Sequence, residues 1–126
     1  MISRPDLLDE HSPQGLEVFQ LTTDRGLSGC HLYMEAQIFA PDSERFILHV
    51  GTDAHGSGNR TPDHQYLRCD LPDGGALHPM TFEFGATAPS VSPDGRYVYY
   101  LVDESQLNGG RITLKRVNLD GTERVT

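Results

Sequence analysis

The chain has 126 residues, 37% of them hydrophobic, which suits one folded domain with a core. Its net charge of −8 disfavours nucleic acid as a partner, because binding to phosphates requires positive charge. No stretch approaches the roughly 18 apolar residues that a membrane span needs, and the polar residues 1–9 lack the apolar core of a secretory signal. We therefore expect a soluble, cytoplasmic protein that has no membrane partner.

The N-terminal region is predicted to hold a polar segment, 1–15, followed by one short strand, 16–23. This strand ends on an apolar residue followed by threonine, as do two later segments that close at Thr81 and Thr126. The shared ending suggests that 16–23 is the fourth strand of a repeated unit whose other three strands are absent here. We interpret it as a closing strand, and we expect the natural chain to continue past Thr126.

Two copies of one tight turn organise the rest of the chain. Pro41-Asp42-Ser43-Glu44-Arg45 and Pro93-Asp94-Gly95-Arg96 each follow a short apolar segment and precede a run of strand-forming residues. Proline followed by Asp or Gly is typical of positions at which the backbone reverses. The turns are 93 − 41 = 52 residues apart, a spacing that suits a repeat of four short antiparallel strands.

The repeat predicts an all-β fold without helices. The segment 96–102 is apolar on both faces of the expected strand, and a strand buried on both faces indicates sheets stacked face to face. We expect a partial β-propeller, with about two four-stranded antiparallel blades, 33–81 and 87–126, plus the closing strand. The expected strands lie near 17–22, 35–40, 46–51, 65–70, 77–81, 88–92, 96–102, 111–118 and 122–125.

Two family resemblances follow from these segments. Residues 90–100 (SVSPDGRYVYY) resemble the repeat of TolB-type propellers, which implies fold alone. The order of five earlier segments resembles the N-terminal part of the oligogalacturonate lyases, which are seven-bladed, cytoplasmic, manganese-dependent enzymes that cleave pectin fragments by β-elimination. These segments are 14–22 (QGLEVFQLT), 30–33 (CHLY), 39–42 (FAPD), 58–60 (GNR) and 66–71 (YLRCDL). The sequence departs from the family at 61–65, which looks like an insertion, and at Ser43, which replaces a turn glycine.

The lyase resemblance covers nearly the whole chain but only about a third of such an enzyme. It implies that this chain is the N-terminal fragment of an enzyme acting on oligogalacturonate. β-Elimination needs a base for the proton next to the carboxylate and a cation for the developing charge. The family carries its base and its manganese ligands in later blades, so no catalytic residue or metal ligand is assigned here. We expect the isolated chain to be inactive, with or without manganese.

Three residues are candidates for substrate binding: His31, His55 and Arg60. In a propeller blade, the loops that enter the blade and those between its second and third strands lie on the same side of the ring, and all three residues fall in such loops. Arginine binds both oxygens of a carboxylate, and histidine donates or accepts a hydrogen bond near neutral pH. The competing interpretation, which carries more weight for each residue, is a solvated loop or a turn-shaping hydrogen bond.

Other polar residues give weaker signals. Asp53 and His55 are metal-ligand types without a third partner, and His49 lies within a strand, where packing is the commoner role. Cys30 and Cys69 lack C-x-x-C spacing and any export signal, so we expect free thiols.

Two further hypotheses compete with the lyase. The chain could belong to a non-catalytic TolB-like propeller that serves as a platform for protein interaction. Alternatively, it could be a functional unit by itself, which self-associates through open blade edges, with three chains completing a ring. In that case Val18→Asp or Phe19→Asp should disrupt the oligomer.

Overall fold

The computed structural model describes residues 1–24, 26–32, 35–52, 61, 63–106 and 109–126. That part of the chain confirms the predicted all-β class, since it contains strands, one three-residue 3-10 helix at Pro5–Leu7, and no α-helix. No helix there is long and apolar enough to cross a bilayer. The strands are β1 Ile2–Ser3, β2 Phe19–Gln20, β3 Ser28–Cys30, β4 Arg45–Gly51, β5 Gln65–Asp70, β6 Ala76–Pro79, β7 Ala86–Val91, β8 Tyr97–Glu104 and β9 Arg111–Asn118.

The strands form three antiparallel sheets. β1 and β2 make an N-terminal sheet, β3 to β6 make a middle sheet in chain order, and β7 to β9 make a C-terminal sheet in chain order. In both larger sheets each strand pairs with the next along the chain, and the Pro93-Asp94 turn joins β7 directly to β8. Within the described residues, none of the sheets closes on itself.

The edges of the sheets differ most from the predicted strands. The expected strand 35–40 is reduced to one bridge between Phe39 and Phe46, and β3 occupies the edge instead. The expected strand 122–125 is one bridge in which the Arg116 and Val125 amides each donate to the other's carbonyl at 2.9 Å. The C-terminal sheet therefore has three strands, not the four predicted.

The strand predicted at 17–22 pairs over a shorter length and with an unexpected partner. Only Phe19–Gln20 is in strand conformation, and it pairs with Ile2–Ser3, from the segment that the sequence places outside the sheets. The register sets Ile2 opposite Gln20 and Ser3 opposite Phe19. This strand is thus paired within its own chain.

The two Pro-Asp turns adopt the same geometry, as their sequences predict. The third residue of each lies in the left-handed region, with φ of 59° at Ser43 and 70° at Gly95. An aspartate oxygen accepts a backbone N–H two residues later in both turns. Hydrogen bonds from Ser92 and Arg96 lower the pKa of Asp94 to about 2. The repeat therefore has a structural basis in local hydrogen bonding.

The core lies between the middle and C-terminal sheets. We call the side of the middle sheet that meets the C-terminal sheet its front face, and the opposite side its back face. Ile47 and Tyr66 on the front face pack against Val98, Tyr100 and Val117 of the C-terminal sheet. The back face carries a second cluster, covered by Leu21 of the N-terminal segment, whose buried members are Leu48, Val50, Leu67 and Cys69.

Polar side chains also tie these two sheets together. Arg68 donates two hydrogen bonds to Asp70 and a third, of 2.5 Å, to the carbonyl of Leu119. Glu83, in the connection between β6 and β7, accepts hydrogen bonds from Lys115 at 2.9 Å and from Tyr100 at 3.0 Å, both on the C-terminal sheet. Burial and the Glu83 carboxylate raise the pKa of Tyr100 to about 12. Hydrogen bonding at this boundary fixes how the sheets are placed.

β8 carries apolar residues on both faces, as the sequence predicts, but within the described residues it is covered on only one of them. Val98, Tyr100 and Val102 are buried against the middle sheet, whereas Tyr99, on the other side of the strand, is 38% exposed. The residues on that side are apolar as well, but no other described residue of the chain lies over them. Buried and exposed residues therefore alternate along β8 because no second layer covers its outer side.

Candidate functional site

Only one of the three predicted substrate-binding residues lies in the described part of the chain. His31 directly follows β3 and is exposed. Its Nδ1 lies 2.5 Å from the carbonyl oxygen of Leu32, and it is the donor because a carbonyl only accepts. His55 and Arg60 lie outside the described residues, so no distance between the three candidates is defined.

The described residues supply no manganese site. Within the ranges given above, no group of three or more His, Cys, Asp or Glu side chains is placed so that it could hold a metal ion. The weakly indicated pair, Asp53 and His55, lies outside those ranges.

The first candidate site is the outer face of the C-terminal sheet, which we call the open face. Cross-strand pairing places Tyr99 beside Arg116, Leu101 beside Leu114, and Asp103 beside Ile112 on this face. Ile112 and Leu114 of β9 are 61% and 58% exposed, which is unusual for two large apolar side chains on one face of a strand. The open face is therefore a contiguous apolar surface with polar groups at its margins.

Arg116 lies over an aromatic ring at one end of the open face. Its guanidinium is 4.4 Å from the centroid of the Tyr97 ring, a cation–π distance, and the Tyr97 and Tyr99 rings meet edge to face at 6.2 Å. These contacts order the side chains before anything binds. An ordered apolar surface loses less conformational entropy when another surface packs on it.

The 52-residue repeat relates the open face to a face that is already covered. Adding 52 to Ile47 and His49, which are buried at the front face of the middle sheet, gives Tyr99 and Leu101 of the open face. Adding 52 to Leu48 in the back-face cluster gives Tyr100, which packs on the middle sheet. Equivalent faces of the two sheets thus point the same way along the stack.

The N-terminal residues cover the opposite end of this stack. Leu21 packs on the back-face cluster, and a Cβ built on Gly75 would lie 3.0 Å from the Cβ of Met1. In the N-terminal sheet Ile2 and Phe19 are 50% and 42% exposed, and the register places them on opposite faces of that sheet. Exposed apolar residues consequently occur both on the open face and on the N-terminal sheet.

A second candidate site, which the sequence did not reveal, lies at the edge of the middle sheet. Cys30 of β3 stands directly opposite His49 of β4, with its Sγ 3.2 Å from His49 Nδ1. His49 Nε2 lies 2.7 Å from Nδ1 of His64, and His64 Nε2 lies 2.8 Å from the carbonyl oxygen of Ala86. A continuous chain of hydrogen-bonding groups therefore runs from a thiol to a backbone carbonyl of the C-terminal sheet.

Both histidines of this chain are buried, with 3% and 6% of their surface exposed. Burial, reinforced by His64, lowers the pKa of His49, and burial likewise lowers the pKa of His64. The two rings are neutral at pH 7 as a result. The sequence predicts that His49 lies in a strand and that Cys30 is a free thiol. Only the pairing of β3 with β4 shows that these two residues meet.

Comparison of the chain with models of protein families, with curated proteins and with solved structures gave no match in any of the three searches. The open face and the Cys30–His49–His64 chain are therefore the features that indicate a function for this protein.

Proposed function

We propose that the middle and C-terminal sheets are consecutive blades of propeller type, and that the chain functions as an assembly module whose open face receives a second copy of the chain. The observation that carries this proposal is the repeat itself. The position equivalent to Tyr99, which is Ile47 in the middle sheet, is fully buried by the following sheet. The open face has the same orientation as the front face of the middle sheet and is also apolar, but no described residue covers it.

A second copy is the occupant that the exposed residues favour. The open face at one end carries the exposed residues Ile112 and Leu114, and the N-terminal sheet carries the exposed residues Ile2 and Phe19, one on each of its faces. A contact between the open face of one copy and the N-terminal sheet of the next, which is the second surface of the proposed interface, joins two different surfaces and is therefore heterologous. Such contacts close into a ring when each step rotates the next copy by a fixed fraction of a turn, as stacked blades do in a propeller.

The test is the molar mass of the chain in solution, measured by light scattering over a wide range of concentrations. We expect the wild-type chain to form an oligomer that dissociates on dilution. Leu114→Glu should weaken the oligomer by at least tenfold in dissociation constant, because it places a charge in the centre of an apolar contact. Leu71→Glu is the matched control, since Leu71 is exposed in the turn after β5 and belongs neither to the open face nor to β1 and β2.

Two results would count against the proposal. A wild-type chain that stays monomeric at every concentration would show that the open face tolerates water. An oligomer that Leu71→Glu weakens as much as Leu114→Glu would place the contact elsewhere. Phe19→Asp tests the second surface in the same assay, and it should act like Leu114→Glu.

The oligogalacturonate lyase is a second proposal, for the parent protein. It is supported by the order of the five segments between residues 14 and 71, and by no contact in the described part of the chain. Under this proposal His31 binds a uronate carboxylate of an oligogalacturonate, and the isolated chain does not cleave it. Titration calorimetry with trigalacturonate, comparing the wild type with His31→Ala, tests the binding; appearance of unsaturated product by ultraviolet absorbance would contradict the predicted inactivity.

A further inference from the structure

The proton positions in the Cys30–His49–His64 chain follow from its last member. A backbone carbonyl has no proton to give, so His64 donates its Nε2–H to Ala86. Neutral His64 then has its lone pair on Nδ1, which accepts the Nε2–H of His49. Neutral His49 is left with its lone pair on Nδ1, the atom that lies 3.2 Å from the Cys30 sulfur.

This order gives His49 the position of a general base. Its unprotonated Nδ1 faces the Cys30 thiol, and the hydrogen bond to His64 holds its ring in place. A nucleophile beside a base that a third group orients is the arrangement typical of an activated nucleophile. When Nδ1 takes the thiol proton, the resulting charge is stabilised by the hydrogen bond from Nε2–H to His64. Burial lowers the pKa of His49, so the proton moves as the sulfur attacks rather than in a resting ion pair.

Access distinguishes Cys30 from the other cysteine. Cys30 is half-buried in β3, the strand at the edge of the middle sheet, whereas Cys69 is fully buried in the back-face cluster. Burial raises the pKa of the Cys69 thiol, which makes it a poor nucleophile. The chain thus offers an internal comparison between an assisted thiol and an unassisted one.

We propose that Cys30 is a nucleophilic thiol served by His49 as general base and by His64 as a positioning residue, and that this site takes small molecules containing a disulfide bond. His49 Nδ1 removes the proton of the Cys30 thiol while the sulfur attacks one sulfur of the disulfide. A bond forms between Cys30 and that sulfur, the original disulfide bond breaks, and the leaving thiolate takes the proton from His49. Cys30 is oxidised to a mixed disulfide, and one thiol is released.

Disulfide exchange fits this site better than acyl transfer. Acyl transfer passes through a tetrahedral oxyanion that needs dedicated hydrogen-bond donors. Exchange requires only that a proton leave the attacking sulfur and reach the leaving one, and His49 performs both steps from a single atom.

The experiment measures the rate of mixed-disulfide formation at Cys30 with hydroxyethyl disulfide, located by mass spectrometry of peptides, between pH 5.5 and 9. This probe is neutral, so the net charge of −8 does not affect its approach. The reference is Cys30 in the same chain unfolded in guanidinium. An unassisted thiol with a pKa of about 8.5 is roughly 1% ionised at pH 6.5. We expect folded Cys30 to react about tenfold faster than the reference at that pH.

The pH profile separates catalysis from a structural role. An assisted thiol should react at a nearly constant rate from about pH 6.5 to 8, whereas the rate of an unassisted thiol rises about tenfold per pH unit there. His49→Gln should lose the plateau. His78→Gln, which changes a histidine on β6 of the same sheet, should keep it.

Either of two results would overturn the proposal. The first is a folded wild-type chain whose Cys30 reacts no faster than the unfolded reference at pH 6.5. The second is a plateau that survives in folded His49→Gln. If His49→Gln does not fold, nitrogen chemical shifts of the wild-type histidine rings decide, since a proton on His49 Nδ1 would also overturn the proposal.

Discussion

The middle and C-terminal sheets share a turn, a strand pattern and a stacking direction, yet they differ in burial. In the middle sheet, β4 is buried on both faces, by the C-terminal sheet in front and by Leu21 behind. In the C-terminal sheet, β8 is buried on one face only, although its other face is also apolar. The comparison shows that a strand pattern specifies which faces can be buried, and that a neighbouring layer decides which face is buried.

The largest difference in stability between the two sheets should appear when one isoleucine of each sheet is replaced by alanine. Ile47 is fully buried between the sheets, so Ile47→Ala should lower the free energy of unfolding by about 2–5 kcal/mol. Ile112→Ala on the open face should change it by less than about 0.5 kcal/mol in dilute solution. Urea denaturation measures both. Equal losses would mean that the open face is covered even in the dilute chain.

An exchange of residues between the two Pro-Asp turns should have the next largest effect. Gly95→Ser should lower stability by about 1–3 kcal/mol, because φ is +70° and a Cβ there would lie 2.5 Å from Cδ of Pro41. Ser43→Gly should raise stability by about 0.5–1 kcal/mol, because Ser43 holds a φ of 59° that glycine adopts without strain. Thermal unfolding of the two single variants measures both changes, and a gain from Gly95→Ser would contradict the shared turn geometry.

Acidification should produce the smallest effect, at the junction of the two sheets. Burial is the main cause that lowers the pKa values of His49 and His64 from 6.5, and the Asp63 carboxylate acts in the opposite direction. The side chains of Cys30 and Tyr66 also face the two histidines. The unfolded chain therefore binds more protons below about pH 6.5, so stability is full above that pH and falls as the pH drops. Each pKa unit of lowering is worth about 1.4 kcal/mol.

Urea midpoints at pH 7.5 and 5.5 test this pH dependence. His64→Gln should reduce the difference between the two midpoints, and His11→Gln is the control because His11 is exposed near the N-terminus. A wild-type chain that is more stable at pH 5.5 than at pH 7.5 would contradict the inferred neutral state of the pair.

The strands that follow the two Pro-Asp turns, and the strands paired after them, were predicted well, whereas the segments 35–40 and 122–125 were not. The segments 65–70 and 111–118 were placed at the bounds observed, and the two strands that follow the turns were placed within two residues. Their hydrophobic patterns are long enough to determine a strand. By contrast, 35–40 and 122–125 keep only one bridge each, because an edge segment has a partner on one side and depends more on context.

The candidate sites were less accessible to sequence analysis than the fold. His31 was selected because of the loop that holds it, and the structure finds it bonded to the carbonyl of its neighbour. The sequence predicts a packing role for His49 because it lies within a strand, and no motif links it to His64, which is 15 residues away. Their contact with Cys30 exists only after β3 has paired with β4 in one register, which no local signal encodes.

By itself the sequence determined the all-β class, the two matching turns and the alternation of side chains along the central strands. These features depend on φ and ψ preferences and on hydrogen bonds between residues a few positions apart. Only the tertiary structure decided that the face bearing Leu114 stays open, and that Cys30 meets His49. Both outcomes depend on which layers and which strands are adjacent, and adjacency arises from packing among residues far apart in the chain.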